Sequence, residues 1–476
     1  VSAKTRVVVV GGGITGLAAA YTLDREGDCE VVLLEAESRL GGKIGTRTVP
    51  CNGSELVIEE GADSLFTRKP WALDLADELG LEEELVEPQA KEFSMLIGGK
   101  LQRVPGGLVT LTYSEPDAVA EACFLSDEAK QAVLDESLAP MGEGSDESIA
   151  SFFRRRFGEE FSRLVAEPLL AGTHGGSPET LSMAALYPGY FDLEREFGSL
   201  AGGMAVRRMR QATTPEPAGN RRGSFLSFRN GMGSFIEALA GNLGRTQVEL
   251  NTAVSEIAAI AASSGEALSV AAEDGRRWSA EHVILAAPSF VAAPMLESSA
   301  PEAAKLLAEI KHASGAIVTL AYRRDSIPGR LDGTGFLVPY NEDFPVTGGT
   351  WSSVKWPGRA PSDTILVRLF LGRHGGLDVE NSPEDTIIDT ARVAFERLTL
   401  PIERPFFQTM KRWMHSLPQY EVGHLERLDG IDAALTPLRG LHLAGTSYRG
   451  VGIPDCVRQG REAARSVLRK SKTYHE

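Results

Sequence analysis

The sequence predicts an α/β fold carrying mixed α+β insertions, and three observations support it. A valine-rich strand, residues 6–10, runs directly into a glycine cluster and then an Ala/Leu-rich helix. Strand-like segments of the same type recur far downstream at residues 282–288 and 441–444, the second followed by a Gly-rich loop and a helix. With 476 residues the chain is too long for one core, so two or three interleaved domains are expected.

The glycine cluster is the most specific element. Gly11-Gly12-Gly13-Ile14-Thr15-Gly16 has Gly-x-Gly-x-x-Gly spacing between a strand and a helix, the signature of a Rossmann-type dinucleotide site. Gly11 permits the tight turn, Gly13 lets backbone approach a pyrophosphate, and Gly16 lets helix and strand pack closely. The helix-terminal amides, including those of Ile14 and Thr15, then favour an anion. The next strand, residues 30–34, ends on Glu35, where a carboxylate accepts from a ribose 2′-hydroxyl and Ala36 follows. An acid there disfavours a 2′-phosphate, and hence NADP.

Residues 39–46, Arg-Leu-Gly-Gly-Lys-Ile-Gly-Thr, decide between NAD and FAD. They resemble the Arg-x-Gly-Gly-x-x-x-Thr extension of flavoproteins related to amine oxidases, phytoene desaturases and protoporphyrinogen oxidases, which implies FAD; no Cys or His lies in a recognisable flavinylation motif, so the FAD is expected to be non-covalent. Gly42 allows another close backbone approach, while Arg39 and Lys43 reach the pyrophosphate as charged donors. The alternative is a surface loop with two solvated cations.

Bulk properties narrow the class. The chain is 42% hydrophobic and 24% charged, ordinary for a globular protein, and its net charge of -16 argues against nucleic acid as partner. Cys29, Cys51, Cys123 and Cys456 show neither metal-ligand nor CxxC spacing, so no metal is expected and reduced thiols are. The longest apolar stretch, residues 283–295, is short and broken by Pro288 and Pro294. No cationic leader precedes the first strand, so a cytoplasmic location is expected.

Further stretches carry a family resemblance. They are Glu60-Gly61-Ala62-Asp63-Ser64, residues 164–172, residues 335–339, residues 350–357, Arg412-Trp413, residues 418–424 and Gly452-Ile453-Pro454-Asp455-Cys456. With them the chain resembles the oxygen-dependent protoporphyrinogen and coproporphyrinogen III oxidases over essentially its whole length, and most of all the soluble bacterial coproporphyrinogen enzymes. The resemblance implies an FAD-binding Rossmann-type domain assembled from residues 1–66, 225–292 and 425–476. A sheet-containing substrate domain follows from residues 67–99 and 293–424, and a helical, membrane-docking-like domain from residues 100–224. It places Gly61, Ala62, Asp63, Ser64, Val254, Ala287, Trp413, Gly445, Val451, Gly452 and Ile453 on the cofactor.

For the chemistry it implies removal of six hydrogens from a porphyrinogen substrate in three two-electron steps, with molecular oxygen as acceptor and hydrogen peroxide as product. Protoporphyrinogen IX is the alternative substrate; a flavin amine oxidase, a carotenoid desaturase or a non-catalytic tetrapyrrole carrier are more distant ones. Asp63 either steers or orients the pyrrole N–H groups or caps a turn. Lys69 is expected to hold a propionate, with Arg68 next to it, although adjacent cations also suit a solvated turn. Phe93 stands where plant relatives carry a propionate-pairing arginine. Thr173 and Phe336 are expected on the faces of the macrocycle, and His174 either lines the pocket or is a satisfied core histidine. Arg154-Arg155-Arg156 reads as a solvated helix face, and residues 212–222 as a mobile loop. Residues 108–140, short and acid-rich, allow at most weak peripheral membrane contact. A transient hand-over of product to a ferrochelatase is the expected protein contact.

Overall fold

Alternation within the first strand creates both faces of a parallel sheet. In the computed structural model, which describes residues 4–109, 119–170, 174–213, 223–262, 265–329, 331–372 and 375–473, that strand is Thr5–Val10. Five parallel strands stand in the order Gln247–Glu249, Cys29–Leu34, Thr5–Val10, His282–Leu285, Leu441–Leu443. Val7 and Val9 face the helices Ile14–Glu26, Gly233–Gly241 and Ile453–Thr473, whereas Val8 and Val10 face an antiparallel three-stranded sheet, Val254–Ala262, Gly265–Ala272 and Arg277–Ala280. The period of two in a strand is what sends neighbouring valines to opposite layers.

Two glycines set the closeness of the helical layer. A Cβ at Gly16 would stand 1.9 Å from the Gly11 carbonyl oxygen, and one at Gly460 2.2 Å from that of Thr15. The helix Ile453–Thr473 therefore lies directly on Ile14–Glu26, which brings the far end of the chain to its first turn.

A second sheet has seven strands, ordered Phe407–Pro418, His312–Arg323, Thr364–Leu371, Gly348–Thr350, Gly335–Leu337, Ser94–Ile97, Lys100–Arg103. One face, with Val318, Leu320, Val367 and Leu369, packs on the helix Glu384–Thr399. The other carries Arg368, whose guanidinium donates to the Gly61 carbonyl of the nucleotide layer.

The helical layer is built on Ile149–Phe157, which starts where Ser148 accepts from Ser151 N at 3.1 Å and stops at Gly158, φ +82. The expected solvated arginine face is corrected here. Arg154 and Arg155 are partly exposed, Arg154 pairing with Glu159 and Glu179. Arg156 is fully buried, its Nε 2.6 Å from Glu136 Oε1 and its Nη1 2.9 Å from Glu194 Oε1, while Arg155 pairs with Glu147 and Glu194. The reason is helical geometry: Arg156 falls four residues after Phe152 and three after Phe153, on the apolar face, where the two glutamates neutralise it.

Of the expected loop, residues 212 and 213 end the helix Leu200–Thr213, and 214–222 lie outside the described residues. Residues 110–118 of the acid-rich segment do as well. No helix among the described residues is long and apolar enough to cross a membrane, and no cluster of His, Cys, Asp or Glu among them could hold a metal ion.

Candidate active site

Two glycine loops face one another at the end of the first strand. Gly11 leaves the strand at φ +103, and Gly41 N donates to the Gly12 carbonyl at 2.8 Å, joining the second loop to the first. A Cβ built on Gly13 meets no atom within 4 Å, and one on Gly42 would stand 3.3 Å from the Gly13 Cα. The helix opening at Ile14 has no side-chain cap and no acid in its first turn. Its free amides, with Thr15 and Gly16 behind Ile14, thus border a space that an anion fits.

Glu35 is buried beside this space; Oε2 accepts from Gly12 N at 2.6 Å and Oε1 from Glu37 N at 2.9 Å. Each oxygen keeps a lone pair for a ribose hydroxyl, and Ala36 next to it is exposed. These features fit a dinucleotide in the expected place.

The Arg39 guanidinium donates to the carbonyls of Leu40 (3.1 Å), Gly42 (2.6 Å) and Ile44 (3.0 Å), closing its own loop. The Lys43 ammonium donates to the Ser416 carbonyl and lies 3.3 Å from Thr446 Oγ1, and burial pushes its pKa down. Lys43 thereby ties the glycine loop to the second sheet and to the C-terminal loop.

Residues 61–64 continue from there. A Cβ at Gly61 would stand 1.9 Å from the Lys43 carbonyl oxygen, and Trp413 Nε1 donates to the Glu60 carbonyl at 2.6 Å. Ala62 is exposed, and Ser64 Oγ donates to Asp63 Oδ1 at 2.9 Å. Asp63 Oδ2 takes Lys355 Nζ at 3.0 Å and Trp356 Nε1 at 3.1 Å, with Arg368 Nη1 at 3.7 Å. Burial alone would raise this carboxyl, but Lys355, Arg368 and the Trp356 N–H outweigh it and hold it well below the usual carboxylate range. So stabilised, Asp63 is a weak base and a permanent acceptor, suited to orienting an N–H rather than to removing its proton.

The C-terminal loop closes the site. Gly445 has φ +134, and Gln459 Oε1 accepts from Gly445 N at 3.2 Å and Arg449 N at 3.4 Å. Val451 and Gly452 lead into Ile453, first residue of the last helix. Ala287 is buried, and its carbonyl lies 3.5 Å from Tyr448 Oη. Val254 opens its strand in the core beneath.

Two of the expected substrate residues stand differently. Lys69 donates to both oxygens of Asp455, at 2.8 and 2.6 Å, so it is not a free cation; the Asp455 side chain, 8% exposed, draws it in. Phe336 points to the core behind the sheet, 2% exposed and 5.3 Å between ring centroids from Trp351, because strand alternation turns its neighbour Leu337 to the helical layer instead. Thr173 lies outside the described residues. His174 is a satisfied core histidine: Nε2 sits 3.2 Å from Tyr187 Oη, and burial lowers its pKa to about 4.

Sequence reasoning missed Lys355, Trp356 and Arg368, although residues 350–357 stood out as a block. It also missed the buried Glu59–Arg359 pair at 3.3 Å, behind the same wall. Nothing in local spacing links positions some 300 residues apart, as in Asp63 and Lys355.

The chain is similar to known proteins along its length. It is 33% identical over 472 residues to the coproporphyrinogen III oxidase of Bacillus subtilis (strain 168), covering 98% of each. To the protoporphyrinogen oxidase of Homo sapiens it is 32% identical, covering 97% of this chain and 98% of the relative. A crystal structure from Exiguobacterium sp. 255-15, provisionally named a protoporphyrinogen oxidase, superimposes with a TM-score of 0.82 at 31% identity, covering 98% and 99% of the two chains. Reduced UDP-galactopyranose mutase, at TM-score 0.72 and 18% identity, shares the fold. The sequence profile of the flavin-containing amine oxidoreductases matches residues 14–468. The chain belongs to that family, and FAD is its cofactor.

Proposed function

We propose that the protein oxidises coproporphyrinogen III to coproporphyrin III in haem biosynthesis, using molecular oxygen and releasing hydrogen peroxide. The observation that carries this reading is the full-length likeness to the B. subtilis enzyme, over a site with both glycine loops in place. FAD, when bound, supplies the two-electron acceptor. The chain supplies orientation. Asp63, kept ionised by Lys355 and Arg368, accepts from pyrrole N–H groups and fixes the macrocycle. Arg68, exposed and engaged by no carboxylate among the described residues, receives a propionate. Lys69 retains one N–H for a second.

The domain division at residues 1–66, 225–292 and 425–476 (cofactor), 67–99 and 293–424 (substrate) and 100–224 (helical) is part of this proposal. So are a cytoplasmic location, weak peripheral membrane contact at most, and hand-over of product to a ferrochelatase. Protoporphyrinogen IX oxidation is the second reading, favoured by the likeness to the human enzyme. Anaerobic mixing of the FAD-loaded protein with coproporphyrinogen III tests the function. Bleaching of the flavin absorbance is expected. Bleaching by benzylamine, polyamines or phytoene and not by a porphyrinogen would overturn it.

A further inference from the structure

Residues 418–424 leave the seven-stranded sheet and run between the helical layer and the C-terminal loop. On the helical side, Gln419 Nε2 donates to the His174 carbonyl at 2.9 Å and Ser182 N to the Tyr420 carbonyl at 2.7 Å. Val422 N donates to Thr180 O at 2.9 Å, and Gly423 N to Asp146 Oδ2 at 3.3 Å. This side has no slack: a Cβ at Gly176 would stand 1.8 Å from Gln419 Oε1.

Tyr420, 1% exposed, reaches the other way. Its Oη donates to the Thr446 carbonyl at 2.7 Å and accepts from Gly450 N at 3.1 Å. The ring stacks on His424 at 3.8 Å and 12°, and His424 Nε2 donates to the Tyr448 carbonyl at 3.0 Å. Because a peptide group is planar, holding the Thr446 oxygen turns the Ser447 N–H to the opposite side. Ser447 is fully buried, yet its N–H has no acceptor in the chain among the described residues. Its hydroxyl accepts from Ser289 N at 3.0 Å, which pins the turn to the helix that follows the fourth strand of the parallel sheet.

We propose that Tyr420 is a positioning residue for the flavin reaction, fixing the turn of residues 446–450 beside the cofactor site and linking that geometry to the seating of the helical layer. The inference rests on the flavin reading of this loop.

Tyr420→Phe deletes one oxygen and keeps the stack. The wild type and variant, both loaded with FAD, are compared by flavin midpoint potential, visible-region circular dichroism of the flavin, kcat and KM. The variant is expected to keep stoichiometric FAD, show a lower potential and an altered flavin spectrum, and lose about tenfold in kcat with KM changed less than about twofold. A wild-type potential, spectrum and kcat in the variant overturn the inference. If Tyr420→Phe does not fold, Asp146→Asn loosens the same segment from its helical end. A smaller shift of the same sign is then expected, and an unchanged potential and spectrum overturn it. A wild-type protein that takes up no FAD overturns the proposed function itself and this inference with it.

Discussion

At the scale of single residues, Gly13 offers the cleanest test of the cofactor site. Its φ of −71° suits any residue, and a Cβ there meets no protein atom. Gly13→Val is therefore expected to fold normally by thermal melt while losing bound FAD, and recovery of stoichiometric FAD from it would contradict the site. FAD bound by the wild type is expected to be released in full by acid precipitation. Arg68 and Lys69 separate next. Arg68→Ala is expected to raise KM for coproporphyrinogen by up to about fivefold, the worth of an exposed ion pair, with FAD content unchanged. Lys69→Ala strips the cation from Asp455 at the start of the last helix, so FAD retention is expected to fall as well. Steady-state kinetics with flavin quantification checks both. These residues show what the sequence makes legible. The glycines and Glu35 are readable because one turn, one helix and one neighbouring strand define their roles. Phe336 and Lys69 are not, since which face a strand residue takes, and which distant acid meets a lysine, depend on packing.

At the scale of elements, the strands and helices of the nucleotide layer follow from local pattern. Alternating valines, the Gly-x-Gly-x-x-Gly turn and the small helical face leave no competing arrangement for residues 5–26. The helix Ile149–Phe157 is legible too, with its serine cap and glycine stop, but not the fate of its arginines. An arginine triplet is hydrophilic by composition, and only glutamates from two other segments make burial of Arg156 tolerable. Glu136→Gln is expected to destabilise the protein by about 3–5 kcal/mol, because it leaves a buried guanidinium short of one counter-charge. The midpoint and slope of urea unfolding measure this. A change below about 0.5 kcal/mol, the usual range for surface substitutions, would mean the network is solvated after all.

At the scale of the whole molecule, three well-separated segments build one parallel sheet, and the second sheet and helical layer enter between them. The glycine loops announce this discontinuity in the sequence, whereas the contacts between layers do not, since each joins residues hundreds of positions apart. Interior histidines are part of that joining. His174, His312 and His424 have pKa values lowered to about 4, chiefly by burial. The unfolded chain binds protons at these positions below about pH 6.5, while the folded one resists until about pH 4. Stability is thus expected to fall as pH drops through that window, on the order of 3 kcal/mol each for the buried His174 and His424. Urea midpoints between pH 7 and pH 4 check the sign, and a flat profile would show these rings to be solvated. Substrate choice is also a property of the whole molecule. Coproporphyrinogen III carries four carboxylates and protoporphyrinogen IX two, and the proposed function rests on the first. Initial rates of porphyrin fluorescence, in detergent-free buffer at matched concentrations of the two porphyrinogens, test this most directly. A higher kcat/KM for coproporphyrinogen III is predicted, and a higher kcat/KM for protoporphyrinogen IX would contradict it.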